Sequence, residues 1–261
     1  MPFPTTDRVI YDKNPLTEVI CQLTFPTILR ISADQPTAFQ DRVRIQYPIY
    51  QEQAGQNLPQ ELRQLLARIP IPPPPEGLSH KFLSDDQCRY ITLNREFLAV
   101  TETKYEQWET FYGAIELAKQ ALEDAYSPSF YSRVGLRYKD LIDPAALGLA
   151  DRPWTSLIRP AVAGILADAK LARRARQSAT QTVLTLEGIP GGFVRLRSSL
   201  VQKPDDEQAY EIDVDCFTTE RSAVTDVSST LHQFNRIAGN LFRWAITPDL
   251  HNALGPRPLV S

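Results

Sequence analysis

The sequence predicts an α+β fold made of two pseudo-repeats. Each runs strand, short helix, two or three antiparallel strands and long helix, with the helices packed on one face of antiparallel sheet. Three observations predict it. Several short segments alternate apolar and polar residues with the period of a half-buried strand. Two long segments carry apolar residues in alternating steps of three and four, the stripe of an amphipathic helix. The same order of elements occurs twice, over 1–128 and again over 129–261.

Taken in order, the first strand lies at 19–25, where Cys21, Leu23 and Phe25 alternate with Gln22 and Thr24. Phe39, Val43 and Tyr47 recur every fourth residue before Pro48, which predicts a short helix. A second short helix is predicted at 59–68, followed by the proline run IPIPPPPEG at 69–77, whose composition favours a stiff polyproline connector over a recognition motif. Strands are predicted at 81–85, 89–94 and 97–103, separated by DDQC and NRE turns. Trp108, Phe111, Ile115, Ala118, Leu122 and Ala125 then form the first long helical stripe.

The second half opens with FYSRVGLRYKDLI at 130–142, a strand with Val134, Leu136 and Tyr138 on one face and Arg133, Arg137 and Lys139 on the other. A helical patch is expected at 156–167, strands at 180–187, 193–201 and 210–217, and a second long helix from Val224 to Ala245, with Pro248 marking its end.

Composition narrows the function classes. A chain of 261 residues, 43% hydrophobic, is long enough to bury a sizeable core. A net charge of -3 offers no overall attraction to nucleic acid, so such binding would need a local basic patch. KLARRAR at 170–176 is the densest basic stretch, and without interleaved aromatic residues it reads as a solvated segment. The start of the chain has no basic segment followed by an apolar run, and no stretch approaches the length of a membrane span, so a cytoplasmic protein is expected. Cys21, Cys88 and Cys216 lack metal-site spacing and read as buried thiols of a reducing compartment.

No nucleophile elbow, phosphate loop, dinucleotide fingerprint or zinc-protease motif occurs, so no catalytic residue, metal ligand or cofactor is assigned. GIPGG at 188–192 precedes a strand, whereas a phosphate-binding turn feeds a helix, so it reads as a plain turn. His232, on the second long helix, reads as a packing residue, because neither a nucleophile nor an orienting acceptor can be placed beside it.

The candidate binding surface is the polar face of the sheet. In YEIDVDCF, at 210–217, alternation puts Glu211, Asp213 and Asp215 on one face, and pairing with the preceding strand sets them beside Arg195 and Arg197. Gln22, Thr24, Arg133, Arg137 and Lys139 join the same side. This face reads either as a site for an anionic partner or a cation, or as a ladder of cross-strand ion pairs, and ordinary strand chemistry favours the ladder.

Four stretches together, NPLTEVICQLTFP, YEQWETF, RVGLRYKDLI and YEIDVDCF, resemble a sporadically distributed family of uncharacterised bacterial proteins of about this length. Its members open with an N-P-[IL]-x-E-V-x-x-x-[IL]-x-F-P segment. Thr24 falls at an open position of that segment where a basic residue is expected, a departure that argues against an anion role for this strand. The resemblance implies a gene travelling with mobile or defence-related cassettes. It points to a non-enzymatic protein that binds a partner protein, a toxin or effector from a neighbouring gene, with a homodimer as a further form. A sensor of a small anionic ligand or nucleotide, clamped by Arg133, Arg137, Arg195 and Arg197 in a cleft between the halves, is the alternative. A metal-dependent hydrolase or nuclease centred on Asp213 and Asp215 is the third reading.

Overall fold

The computed structural model describes residues 3–54, 78–204 and 207–258. Its strands are β1 (Val9–Tyr11), β2 (Leu16–Thr24), β3 (Ile49–Ala54), β4 (Leu78–Leu83), β5 (Arg89–Leu93), β6 (Phe97–Glu102), β7 (Arg133–Ile142), β8 (Ala179–Thr185), β9 (Gly192–Gln202), β10 (Gln208–Thr218) and β11 (Pro256–Pro258). The helices used below are α1 (Arg30–Ala33), α2 (Thr37–Val43), α3 (Trp108–Tyr126), α4 (Pro160–Ala163), α5 (Ala169–Ala172), α6 (Val227–Ala245) and α7 (Pro248–Ala253). The fold is α+β, as expected. Nine strands form one antiparallel sheet in the order β3-β4-β5-β6-β2-β7-β10-β9-β8.

The order carries the duplicated layout. Counting outward from the centre gives β2, β6, β5, β4 on one side and β7, β10, β9, β8 on the other. In each half the chain leaves its central strand, crosses to the outer edge, returns inward by an antiparallel meander, of four strands in the first half and three in the second, and ends in a 19-residue helix. Strand β3 lies outside β4 and has no counterpart in the second half. The halves meet where β2 and β7 pair antiparallel.

Alternation decides which residues reach the core. Val19, Cys21 and Leu23 of β2 and Val134, Leu136 and Tyr138 of β7 are buried beneath the long helices. Helix α3 covers them with Phe111, Ile115, Ala118 and Leu122, and α6 with Leu231, Phe234, Ala238 and Leu241. Phe39, Val43 and Tyr47 are buried, so the four-residue spacing correctly marked α2.

Several expectations are corrected. The patch at 156–167 is a chain of short turns, Trp154–Ser156, α4 and Gly164–Ala167, since Pro160 admits only a helix start and Gly164 turns left-handed at φ 57°. Pro248 lies three residues past the end of α6 and starts α7, its missing N–H costing nothing at a first-turn position. Strands β1, β3 and β11 and helix α1 were not read from the sequence. Cys21 and Cys216 are buried thiols, but Cys88 is only half-buried. The basic residues of 170–176 are exposed, as expected. The helix expected at 59–68 and the whole proline run at 69–77 lie outside the described residues; among the described residues no helix is long and apolar enough to cross a membrane.

Candidate functional site

The two faces of the sheet carry different chemistry. On the face away from the long helices, β10 stands between β7 and β9, with Asp213 opposite Arg197 and Asp215 opposite Arg195. Arg197 donates from Nη1 to Asp213 at 3.0 Å, and Arg195 from Nη1 to Asp215 at 3.1 Å. From β7, Arg137 grips Asp213 with Nε and Nη2, each at 2.7 Å. Arg133 reaches Asp215 with Nη2 at 3.0 Å while its Nη1 donates to Gln22 of β2 at 3.1 Å.

Glycine makes the Arg133 contact feasible. The guanidinium lies flat over Gly135, where a Cβ would fall 2.1 Å from Nη1. Beside it, Arg133 and Arg195 lie over the Phe217 ring at 5.1 and 4.8 Å, and Phe193 stacks on Phe217 at 5.7 Å.

Of the residues expected on this surface, Arg137 and Arg197 gather on Asp213, and Gln22, Arg133 and Arg195 on the neighbouring cluster around Asp215, two adjoining clusters on one face. Lys139 turns to Glu18 of β2 at 3.3 Å instead of pairing with the Asp213 opposite it. Thr24, partly exposed, lies beyond both clusters, and Glu211, half-buried, joins none of their ion pairs among the described residues. Burial pushes the Asp213 carboxyl up, but the hydrogen bonds and charges of Arg137 and Arg197 outweigh it and hold the group below its ordinary value. Asp213 and Asp215 are 2% and 5% exposed. They are not open to a visiting cation: each is already capped by two guanidinium groups. Among the described residues no cluster of three or more metal-binding side chains occurs.

The helix-covered face holds a cavity of about 490 Å³, inside the size range of small-molecule sites. Its floor is the central seam of the sheet: Leu16 of β2, Tyr138 and Asp140 of β7, and Val214 of β10. One wall is the start of α3 with Tyr105, Trp108 and Tyr112. The other is the face of α6 carrying His232, Asn235, Arg236, Gly239 and Arg243. The segment 6–11, which includes β1, and Asn14 and Pro15 complete the rim.

Local features aim these residues inward. A bulge in β2 between Leu16 and Glu18 breaks the alternation, so Leu16, paired with Asp140, turns to the cavity while Glu18 turns to the open face. Asn14 ties the turn by accepting from the Leu16 N–H at 3.1 Å and donating to the Tyr105 carbonyl at 3.1 Å. Across the walls, Trp108 Nε1 donates to His232 Nδ1 at 3.0 Å, and the Tyr112 ring lies 4.4 Å from the imidazole. Tyr138 donates its hydroxyl to Asn235 at 2.9 Å. His232 therefore bridges the two long helices at the cavity edge, beyond the packing role expected of it.

Asp140 is the exception in this lining. It is 4% exposed, yet among the described residues it accepts no hydrogen bond and joins no ion pair. Burial, and then the charge of Asp213 on the other side of the sheet, push its carboxyl well above the usual range. Arg236 and Arg243 likewise make no ion pair among the described residues. Burial pushes the Tyr11 phenol up to about 12, and its hydroxyl lies 2.8 Å from His251 Nδ1.

The cavity was missed from the sequence, although its signal was present. The alternation that sets Val134, Leu136 and Tyr138 toward the core sets Asp140 there too, an acid in the row of a buried face. No protein-family model matches the chain, and no curated protein matches it either.

Proposed function

We propose that the protein binds a small organic ligand in the cleft between its two long helices. The carrying observation is Asp140, a buried acid with no partner among the described residues at the floor of a cavity with aromatic walls. Buried polar groups in folded proteins are almost always satisfied, and one left over in a cavity marks where a ligand or ordered water completes the bonding. All four stretches that carry the family resemblance contribute to the lining: Asn14, Pro15 and Leu16; Tyr105, Trp108 and Glu109; Tyr138 and Asp140; and Val214. The sensor reading thus fits the cleft between the halves better than the arginine face.

A thermal-shift screen of a fragment library against wild type and Gly239→Leu tests this. Gly239 lines the cleft, and a Cβ there meets nothing within 4 Å, so leucine fills the space without disturbing the core. Hits that stabilise wild type but not Gly239→Leu support the reading. A ligand at 100 times its dissociation constant stabilises by about 2.7 kcal/mol. A library without hits, or hits indifferent to the substitution, would overturn it.

A second reading, binding of a partner protein from the same mobile or defence-related cassette, is favoured by the open sheet face, where four arginines share two aspartates. That excess of guanidinium groups suits an acidic partner surface. Co-purification from the native host, compared between wild type and Arg195→Glu, tests it: a partner lost from the variant supports the reading, and an unchanged set of partners counts against it.

A further inference from the structure

Asp140, Arg236 and Arg243 are three of the charged side chains that line the cleft. At the floor stands Asp140, whose carboxyl keeps an acceptor oxygen in either protonation state, so a ligand N–H directed at it can supply a hydrogen bond. Along one wall, Arg236 and Arg243 lie seven residues apart on α6, two turns of one face, with Gly239 leaving the space between them open. Neither arginine has a carboxylate of its own among the described residues. The lining also carries the aromatic rings of Trp108 and Tyr112 on the facing wall and of Phe242.

We infer that the cleft takes a small aromatic molecule of opposite-ended polarity, with a nitrogen donor directed at Asp140 and an anionic group directed at Arg236 and Arg243. This rests on the reading of the cleft as a ligand site and adds the class of ligand. The aromatic body stacks on the walls. The nitrogen donor gives Asp140 the hydrogen bond it lacks within the protein, and a guanidinium is suited to two-pronged contact with an oxyanion. Two sources supply this chemistry. Nucleoside monophosphates carry it as a base with an exocyclic amino group and a phosphate. Ring-aminated aromatic acids carry it as an arylamine and a carboxylate on opposite sides of the ring.

Calorimetric titration of the full chain distinguishes them. One arm uses AMP, GMP and CMP, with UMP, which lacks the exocyclic amine, and adenosine, which lacks the phosphate, as controls. The other uses 4-aminobenzoate and 4-aminophenylacetate, with benzoate, which lacks the amine, and aniline, which lacks the carboxylate, as controls. In the arm that binds, Asp140→Leu, which removes the acceptor, and Arg243→Gln are each expected to weaken binding at least tenfold. Removing the anion from the probe should cost wild type at least tenfold and Arg243→Gln nothing further. Binding indifferent to both substitutions overturns the inference, and so does the absence of binding in both arms. In the latter case fragment hits lost in Gly239→Leu leave the cleft standing as a ligand site of another class, and no hits at all remove both.

Discussion

Asp213 and Asp140 lie on adjacent strands, both almost wholly buried, and they face opposite sides of the sheet. Asp213 meets Arg137 and Arg197, and their charges hold it ionised despite the burial. Asp140 meets no cation and is driven toward its neutral form. The contrast teaches that burial of an acid does not by itself mark a functional site. A carboxylate saturated by its own chain is architecture, and one left over beside an open volume has capacity to spare.

Replacing each acid by its amide breaks or sharpens the contrast. Asp213→Asn strands two guanidinium groups and is expected to cost about 3 kcal/mol, the scale for breaking a buried pair, measured by urea denaturation. Asp140→Asn is expected to act with the opposite sign, stabilising by about 1 kcal/mol at neutral pH, because it removes a group whose ionisation is suppressed on folding. If both lower stability alike, the distinction between the faces fails.

The pH dependence follows with the sign worked through. A carboxyl raised on folding binds more protons in the native state, so its contribution to stability falls as pH rises above the ordinary carboxylate range. The gap between Asp140→Asn and wild type should close near pH 4 and widen toward neutrality, and thermal melts across that range would show it. Asp213, lowered on folding, behaves oppositely: its contribution is present above the ordinary range and lost as acid is added, so Asp213→Asn should differ from wild type least at low pH.

Smaller effects refine the picture of the open face. Gly135→Ala displaces the Arg133 guanidinium from its seat and is expected to cost about 1 to 2 kcal/mol through the lost contacts to Asp215 and Gln22. In Arg133→Ala the same Gly135→Ala change should then cost close to nothing, a double-mutant cycle that isolates the contact. Smallest, Gly239→Leu should raise stability by about 0.5 to 1 kcal/mol through helix propensity, so a lost ligand response in that variant cannot be put down to unfolding.

Much of this was legible in the residues. Strand β7 is marked by Val134, Leu136 and Tyr138 against Arg133, Arg137 and Lys139, and the α3 and α6 stripes by steps of three and four, because each element has one buried side. The pairing of Arg195 and Arg197 with Asp215 and Asp213 followed from the same alternation. Strand β3 was not legible: it is an edge strand whose Gln51, Glu52 and Gln53 are exposed, so no apolar row outlines it. Strands β1 and β11 pair across nearly the whole chain, a contact that local periodicity does not encode. The bulge at Thr17 was hidden for a related reason, since one extra residue reverses the facing of Leu16 without changing composition.

The seam between β2 and β7 has a mechanical consequence. The cleft straddles it, with Leu16 and Trp108 contributed from one side of the junction and Asp140 and His232 from the other. A molecule seated there acts as a rivet, since prising the two sides apart would also tear its contacts. Its arrival should slow amide hydrogen exchange in both central strands together while leaving the outer strands β3 and β8 unchanged.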